Sequence, residues 1–229
     1  MLSLKILLRA LRAGELKTIF ISLCLSVAVV AAVSIFAERI EKAIVNESKE
    51  LLGGDFIVKS SKPIPQVWIE YAVNRNIDVS RTLSFASVVF FNENMHLAYI
   101  KAVESNYPLR GSILTSQLPF TYDVKQMEEF TSGPKVGEIW VESRLLPILD
   151  VEIGSQIDIG ESSLTITKIL IEEPEGPSFS ILGSRILMNF ADVESTNVVQ
   201  PGSRVTHNLL VASSKESDIN SYVSWVQKK

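Results

Sequence analysis

The stretch TIFISLCLSVAVVAAVSIFA, Thr18 to Ala37, holds twenty residues without a charge, a proline or a glycine. At 1.5 Å per residue it makes a helix of roughly 30 Å, the thickness of a bilayer's hydrocarbon core. A helix buried in a soluble core is rarely apolar on every side for that long. Ala32 and Ser34 offer small residues for a signal-peptide cut, but a signal sequence has a shorter apolar region, roughly 7 to 15 residues, and its basic start is not usually as long as the seventeen residues here. The stretch therefore reads as one transmembrane helix.

Upstream of it, Leu2, Leu4, Ile6, Leu7, Leu8 and Leu11 are interleaved with Lys5, Arg9 and Arg12, which share one helical face. This is the pattern of an amphipathic helix lying on a membrane surface over residues 1–14, with Gly14 letting the chain turn into the bilayer. Basic residues flank the span on both sides, Lys5, Arg9, Arg12 and Lys17 before it and Arg39, Lys42 and Lys49 after it, so charge leans only slightly toward an N-terminus inside.

Downstream, no helix breaker appears between Gly14 and Gly53, which predicts one helix from Glu15 to Leu52, closed by Gly53-Gly54 in a left-handed cap. Ala37, Ile40, Ile44 and Leu51 form a stripe along the extension, and Glu38 with Lys42 forms an i,i+4 pair on another face. The stripe reads as a stalk that needs a second helix against it, the alternative being that it packs on its own domain.

The whole chain has 229 residues, 46% hydrophobic and 21% charged, which is ample for a span and a globular core. The first 37 residues carry a formal +3, leaving −7 for the rest of a chain whose total is −4. An acidic remainder without a basic cluster argues against nucleic acid as a partner. The single cysteine, Cys24, lies in the apolar stretch, so the soluble part has no disulfide framework, and with His96 and His207 as the only histidines the usual zinc spacings cannot be assembled.

Beyond Asp55 the pattern becomes mixed. Phe56 to Lys59 reads as a strand, and Pro63-Ile64-Pro65 opens a helix through about Asn74. Val79, Leu83, Phe85, Val89 and Phe91 alternate along a strand that turns at Asn92-Glu93-Asn94 into a second, Met95 to Val103. Ser112 to Val136 reads as a looser connection. After it come a strand at Ile139 to Glu142, a short helix capped by Ser143, and a glycine-turned strand pair in VEIGSQIDIG and SLTITKILI. Last come a strand at Arg204 to Ala212 and a helix opened by a Ser213/Glu216 capping box, with Ile219, Tyr222, Val223 and Val226 on one face. The expectation is an α+β domain of two interleaved lobes over residues 55–229, preceded by a span and stalk over 15–54.

Catalytic constellations are missing. No G-x-x-x-x-G-K-[ST], G-x-S-x-G or H-E-x-x-H occurs. Ser132 and Lys135 satisfy S-x-x-K, but within a Ser-Gly-Pro-Lys loop where the lysine is not on a helix with the hydroxyl. Glu172, Glu173 and Glu175, beside Pro174 and Pro177, read as a solvated loop, and Trp68, Trp140 and Trp225 as core or interface residues. Asn46-Glu47-Ser48 matches a glycosylation acceptor on the expected stalk. No catalytic, cofactor-binding or metal-ligating residue is assigned, and the chain is not expected to be an enzyme.

Several segments in order nevertheless carry a signal: Arg-Ala-Gly-Glu-Leu (Arg12 to Leu16), the span, Leu-Leu-Gly-Gly-Asp (Leu51 to Asp55), Tyr-Pro-Leu-Arg-Gly (Tyr107 to Gly111), Trp-Val-Glu-Ser-Arg-Leu-Leu (Trp140 to Leu146) and Gln-Pro-Gly-Ser-Arg (Gln200 to Arg204). Together they resemble the N-terminal part of FtsX-like ABC-transporter permeases, the superfamily of MacB and the lipoprotein-release permeases, and most closely its YbbP-like branch. The resemblance implies a bacterial inner-membrane protein with a cytoplasmic N-terminus and a MacB-like extracytoplasmic domain. It also implies a separate cytoplasmic ATPase as partner, membrane lipid around the span, a second permease or stalk helix, and transmission of ATP-driven movement for export or mechanotransmission. Members of the branch continue through further spans, so the chain is expected to be an N-terminal fragment, the alternative being a single-pass anchored binding or scaffold protein. The transported substrate is not legible.

Overall fold

The computed structural model describes residues 15–121, 123–175, 183–200 and 202–228. The amphipathic helix expected at 1–14 lies outside them. The chain divides into two compact units, Met1–Glu47 and Ser48–Lys229.

Helix α1, Glu15–Leu52, runs through the apolar stretch without a break. Among the described residues it is the one helix long and apolar enough to cross a membrane, and none of its apolar window is buried against protein. Ser26, the polar residue at mid-stretch, donates its hydroxyl to the Ser22 carbonyl at 2.8 Å, the local pairing that lets a serine sit in hydrocarbon. Farther along, Lys42 and Glu38 pair at 2.6 Å, and Ile40, Ile44 and Leu51 are exposed.

In the second unit ten strands form one sheet: β1 (Phe56–Ser60), β2 (Asp78–Phe91), β3 (Asn94–Val103), β4 (Ile113–Ser116), β5 (Met127–Phe130), β6 (Glu138–Glu142), β7 (Gln156–Ile159), β8 (Ser162–Glu172), β9 (Ser184–Asn189) and β10 (Val205–Ala212). The spatial order is β1-β10-β2-β3-β9-β6-β8-β4-β5, and β7 pairs with both β8 and β2. That last pairing, Val89 opposite Ile159, closes β2, β3, β9, β6, β8 and β7 into a ring. The inward side chains fill it as a continuous core including Phe85, Ile100, Ile139, Val141, Ile157, Ile166 and Met188, with Leu145 and Leu149 of α3 (Leu145–Leu149) packed in. The early strands β2 and β3 meet the later strands at two seams of the ring, where β3 pairs with β9 in parallel and β2 with β7 antiparallel.

Outside the ring, β10 and β1 extend the sheet from β2, and β4 and β5 extend it from β8. Helices α2 (Gln66–Val73) and α5 (Glu216–Val226) cover one side of the first extension, burying Ala72, Ile219 and Tyr222 against Leu209 and Val211. Trp225 stacks on Tyr71 with ring centroids 3.8 Å apart. A fourth short helix, α4 (Val193–Thr196), follows β9. The opposite sheet face carries a second apolar cluster, with Val103, Tyr107, Trp140, Leu187 and Leu210 buried.

Three local expectations are corrected. The stretch Ser112 to Val136 is not merely a connection, since β4 and β5 pair there as a hairpin with Ile113 opposite Phe130; Pro119 sits between the strands and Gly133 and Pro134 follow them, and each strand is only four residues long. Ser143 does not cap α3, because Arg144 occupies the cap position and the Ser143 hydroxyl oxygen accepts from the Phe120 N–H at 3.1 Å. Ser213 does not form a box with Glu216: its hydroxyl accepts from the Lys215 N–H at 3.2 Å and donates to Asp218 at 3.3 Å, one turn into α5.

Candidate functional site

The last turn of α1 belongs to the sheet domain's unit, and there the backbone is fixed group by group. Gly53 takes a φ of +68°, open to glycine at little cost. Its N–H donates to the Glu50 carbonyl at 3.1 Å while the Gly54 N–H reaches the Lys49 carbonyl at 3.2 Å, the paired bonds of a Schellman cap. A helix end leaves further carbonyls unpaired. Here the domain supplies a donor, for the Leu51 carbonyl accepts the Glu175 N–H at 2.6 Å.

The turn itself is gripped in the same way. The Gly53 carbonyl accepts both the Leu109 and Arg110 N–H groups, at 2.9 and 3.1 Å, and the Asp55 N–H bonds Val211 of β10 at 2.9 Å. A Cβ on Gly53 would lie 2.9 Å from the Pro174 Cβ, and one on Gly111 would lie 2.9 Å from the Glu50 carbonyl oxygen. Both glycines are thus required by close approach as well as by positive φ.

The Asp55 carboxylate is buried. Arg110 reaches it with two nitrogens, Nε to Oδ1 at 3.2 Å and Nη2 to Oδ2 at 2.9 Å, and the Ser213 N–H donates to the same Oδ2 at 2.9 Å. Arg110 Nη2 also donates to the Ser213 carbonyl at 2.9 Å, and Lys49 stands 3.7 Å from Asp55 Oδ1. The two segments Leu51 to Asp55 and Tyr107 to Gly111, far apart in the sequence, are therefore the two halves of one socket.

A buried ionic cluster lies beside the socket. Lys101 sits mid-strand in β3 with its neighbours Ile100 and Ala102 turned into the ring, so its own side chain lies on the outer face. Its Nζ donates to the Tyr107 hydroxyl at 2.6 Å and the Pro174 carbonyl at 2.9 Å, and lies 3.4 Å from Glu173 and 3.3 Å from Glu175. Tyr107 in turn donates to the Pro174 carbonyl at 2.7 Å. The network continues through Arg185, 3.9 Å from Glu173 and 3.8 Å from Glu142, and through Lys59, 3.4 Å from Glu175.

Burial opposes the charged form of Lys101, but Glu173, the Tyr107 oxygen and Glu175 outweigh it, and the pKa lies above the ordinary lysine value. For Tyr107 burial raises the pKa and outweighs the pull of Lys101, so the phenol keeps its proton and donates it to a hydrogen bond. An ammonium held charged in this way is no nucleophile. The arrangement is suited to holding backbone in place.

Glu173 and Glu175 correct the expectation of a solvated acidic loop, since both side chains are buried, whereas Glu172 is exposed. Their partner Lys101 lies some 70 residues earlier, which is why local composition misleads. The usable signal is the lone lysine within the apolar strand sequence Ala-Tyr-Ile-Lys-Ala-Val, Ala98 to Val103, since a buried lysine demands counter-charges from elsewhere. Trp140 and Glu142, from another quoted segment, enter the neighbouring apolar cluster and the Arg185 pair. Trp68 packs against the α2/α5 core. Gln200 to Arg204 lies apart, with the Ser203 hydroxyl accepting the Gln200 N–H at 3.0 Å; Pro201 is outside the described residues. Ser132 and Lys135 fall in a loop, Asn46 to Ser48 in α1, and no group of histidine, cysteine or acidic residues able to hold a metal occurs among the described residues.

The chain also aligns over most of its length with a known protein. The chain is similar to an ABC transporter permease. It is 32% identical over 219 residues to the uncharacterized ABC transporter permease YbbP of Escherichia coli (strain K12), an alignment that covers 95% of this chain and 26% of YbbP. The chain thus spans about a quarter of the length of that curated relative. The resemblance carried by the segments is borne out at the level of sequence. No family model matches the chain.

Among solved structures, the domain is similar to the periplasmic region of MacB from Actinobacillus actinomycetemcomitans, with 12% identity, a TM-score of 0.47 and coverage of 80% of this chain and 88% of that one. It is also similar to the extracellular domain of the noncanonic ABC-type transporter YknZ from Gram-positive bacteria, with 13% identity, a TM-score of 0.40 and coverage of 63% and 69%. The α+β class expected from the sequence is the class observed, one long apolar helix followed by a sheet domain.

Proposed function

We propose that this chain is the N-terminal portion of an ABC transporter permease, in which α1 carries displacement between a cytoplasmic ATPase and an extracytoplasmic domain. In this reading residues 1–14 lie on the cytoplasmic side of a bacterial inner membrane, residues 15–54 form the span and stalk, and residues 55–229 form the outer domain. The ATPase is a separate subunit, and the chain itself is non-enzymatic. The exposed stripe at Ile40, Ile44 and Leu51 takes a second stalk helix, and lipid covers Thr18 to Ala37.

The observation that carries the reading is the socket. A tether needs only a flexible linker, yet here a helix of 38 residues ends without one. Its cap, its Leu51 carbonyl and the following Gly53 carbonyl are all bonded within two residues of the helix end. In this reading a continuous helix ended that way passes a push or a twist to the domain that grips it, because the Leu51 and Gly53 carbonyls and the Asp55 N–H are all bonded to it. Similarity to YbbP supports the permease assignment, and the exposed apolar window supports the span.

The test uses the whole permease assembled with its ATPase. A fluorophore at Glu93, in the β2–β3 turn, reports nucleotide-dependent change in the outer domain. Proline at Ala43 removes one backbone donor and kinks the helix, at about 3 kcal/mol, and is expected to abolish the signal, whereas Ala43→Leu retains it. A full signal from the proline variant would make α1 a tether and return the reading to an anchored scaffold. Topology is checked separately in a variant lacking Cys24: an impermeant thiol reagent is expected to reach a cysteine at Glu93 in intact cells and not one at Lys5.

A further inference from the structure

We infer that Lys101 and Tyr107 are the positioning residues for the end of α1, and that they act through a single peptide plane, the one joining Pro174 to Glu175. The carbonyl of Pro174 and the N–H of Glu175 are opposite ends of that planar unit, so fixing one fixes the direction of the other. Lys101 Nζ and the Tyr107 hydroxyl both donate to the Pro174 oxygen, at 2.9 and 2.7 Å, occupying both of its lone pairs. The Glu175 N–H on the far side donates to the Leu51 carbonyl at 2.6 Å.

Two further features fit this role. Pro174 has no N–H of its own, so its carbonyl is its whole contribution to the backbone network, and its Cβ fills the space a side chain on Gly53 would need. Glu175 takes a φ of +59°, a conformation costly for a residue with a side chain, and so requires the surroundings to impose it. Its carboxylate is buried against Lys101. The lysine therefore holds the strained residue at two points, through the carbonyl before it and through the carboxylate it carries.

A buried ammonium at the centre of a strand is a poor choice for packing alone, since Leu187 and Ser84 are its cross-strand neighbours and an aliphatic side chain would fit there. Its position makes sense as the rigid floor of the sheet reaching up to a loop. The inference rests on the proposed reading only in treating the end of α1 as the part whose placement matters; the bond it concerns exists without nucleotide or partner.

Hydrogen exchange of the full chain in lipid nanodiscs, without nucleotide, tests it. Tyr107→Phe removes one of the two donors to the Pro174 oxygen and is expected to speed exchange at the Glu175 amide several-fold. Lys101→Met is expected to speed it by about tenfold or more, as loss of a charged hydrogen bond implies. The double variant should add little beyond Lys101→Met, because both act on one oxygen. Exchange at the Ile166 amide, bonded to the Ser155 carbonyl on the ring, should stay within about twofold. Lys59→Met, which loses a contact to the Glu175 carboxylate and none to the Pro174 carbonyl, should leave the Glu175 rate within about twofold.

An unchanged Glu175 rate in a folded Tyr107→Phe protein would overturn the inference, as would an equal rise at Ile166 or at Glu175 in Lys59→Met. If Lys101→Met does not fold, Tyr107→Phe decides alone. A positive exchange result with an Ala43→Pro variant that still signals would leave the clamp standing and the transmission reading fallen.

Discussion

The apolar run of α1 and its last turn are one continuous helix built on opposite principles. Between Thr18 and Ala37 a hydrocarbon surface and an unbroken backbone ladder are enough, and none of the apolar window is buried against protein. Between Ser48 and Asp55 the amides of Gly53, Gly54 and Asp55 and the carbonyls of Leu51 and Gly53 are all bonded, Gly53 is required by its neighbours and a carboxylate is buried with three donors. The first region specifies a solvent, and the second specifies a position. The run should therefore tolerate substitutions that keep it apolar, while single atoms matter in the socket.

The largest expected effect lies where that position depends on charge. Arg110→Ala leaves Asp55 buried with only the Ser213 N–H and a lysine 3.7 Å away. Breaking such a pair from one side costs about 3 to 5 kcal/mol, and Arg110 is about one-third exposed, which puts the expectation at the lower end. Chemical denaturation of the full chain in detergent measures it. Arg110→Lys should recover only part, since an ammonium cannot make the two-nitrogen contact. A loss below about 1 kcal/mol for the alanine variant would mean the socket is no more specified than a surface.

Next in size is Gly53→Ala. A side chain at φ +68° costs roughly 1 to 2 kcal/mol, and its Cβ would also press on the Pro174 Cβ at 2.9 Å. Gly137 has φ +82° with nothing within 4 Å of its would-be Cβ, so Gly137→Ala carries the strain without the approach. The difference between the two unfolding free energies isolates the close approach at the helix end. Equal losses would remove Pro174 from the description of the socket.

How much of this was legible beforehand follows the same division. The span, the unbroken helix to Leu52 and the Gly53 cap are local in origin, set by hydropathy and by the absence or presence of a breaker, and the sequence carries them plainly. The β2–β3 hairpin and the β7–β8 pair were likewise readable from alternation and turn residues. The ring closure through Val89 and Ile159 was not, since it joins strands 70 residues apart by a two-residue register with no marker in either. Nor was β9, Ser184 to Asn189, whose apolar residues Ile186, Leu187 and Met188 are consecutive and so carry no period of their own. Glu173 and Glu175 were misread for a related reason: acidic residues among prolines look solvated until a distant lysine is known to face them. The segments quoted for the resemblance marked the right chain positions, but only the fold shows that two of them touch.

A smaller effect separates the regions by pH. Lys101 and Tyr107 both have folded pKa values above their ordinary ones, near 10 for each unfolded group. A group whose pKa rises on folding stabilises fully below its unfolded pKa and loses that contribution as pH climbs above it. The domain should thus weaken above about pH 10, and Tyr107→Phe should flatten part of that fall. Melting temperatures across pH 8 to 11 check it, and a slope unaltered by the substitution would locate the alkaline sensitivity outside the socket.

The smallest expected effect is in the apolar run. No part of its apolar window is buried against protein, so Val30, with two-thirds of its surface exposed, has no shaped site to fill. In the proposed span the surroundings of an apolar side chain are fluid chains that repack without cost, unlike a core, where one methylene is felt. Val30→Leu, or an exchange of Val29 and Leu25, should leave the domain's unfolding free energy within about 0.5 kcal/mol and insertion intact. Arginine at Val30 marks the other limit, for it adds roughly 2.5 to 3.5 kcal/mol to insertion at the centre of a span. Placing the two outcomes beside Gly53→Ala sharpens the division within one helix: the run should respond to polarity and ignore shape, and the socket should respond to shape at a single carbon. A conservative change at Val30 that cost as much as Gly53→Ala would show that the run meets a specific protein surface, which would turn the second helix of the proposed stalk into a partner within the bilayer as well.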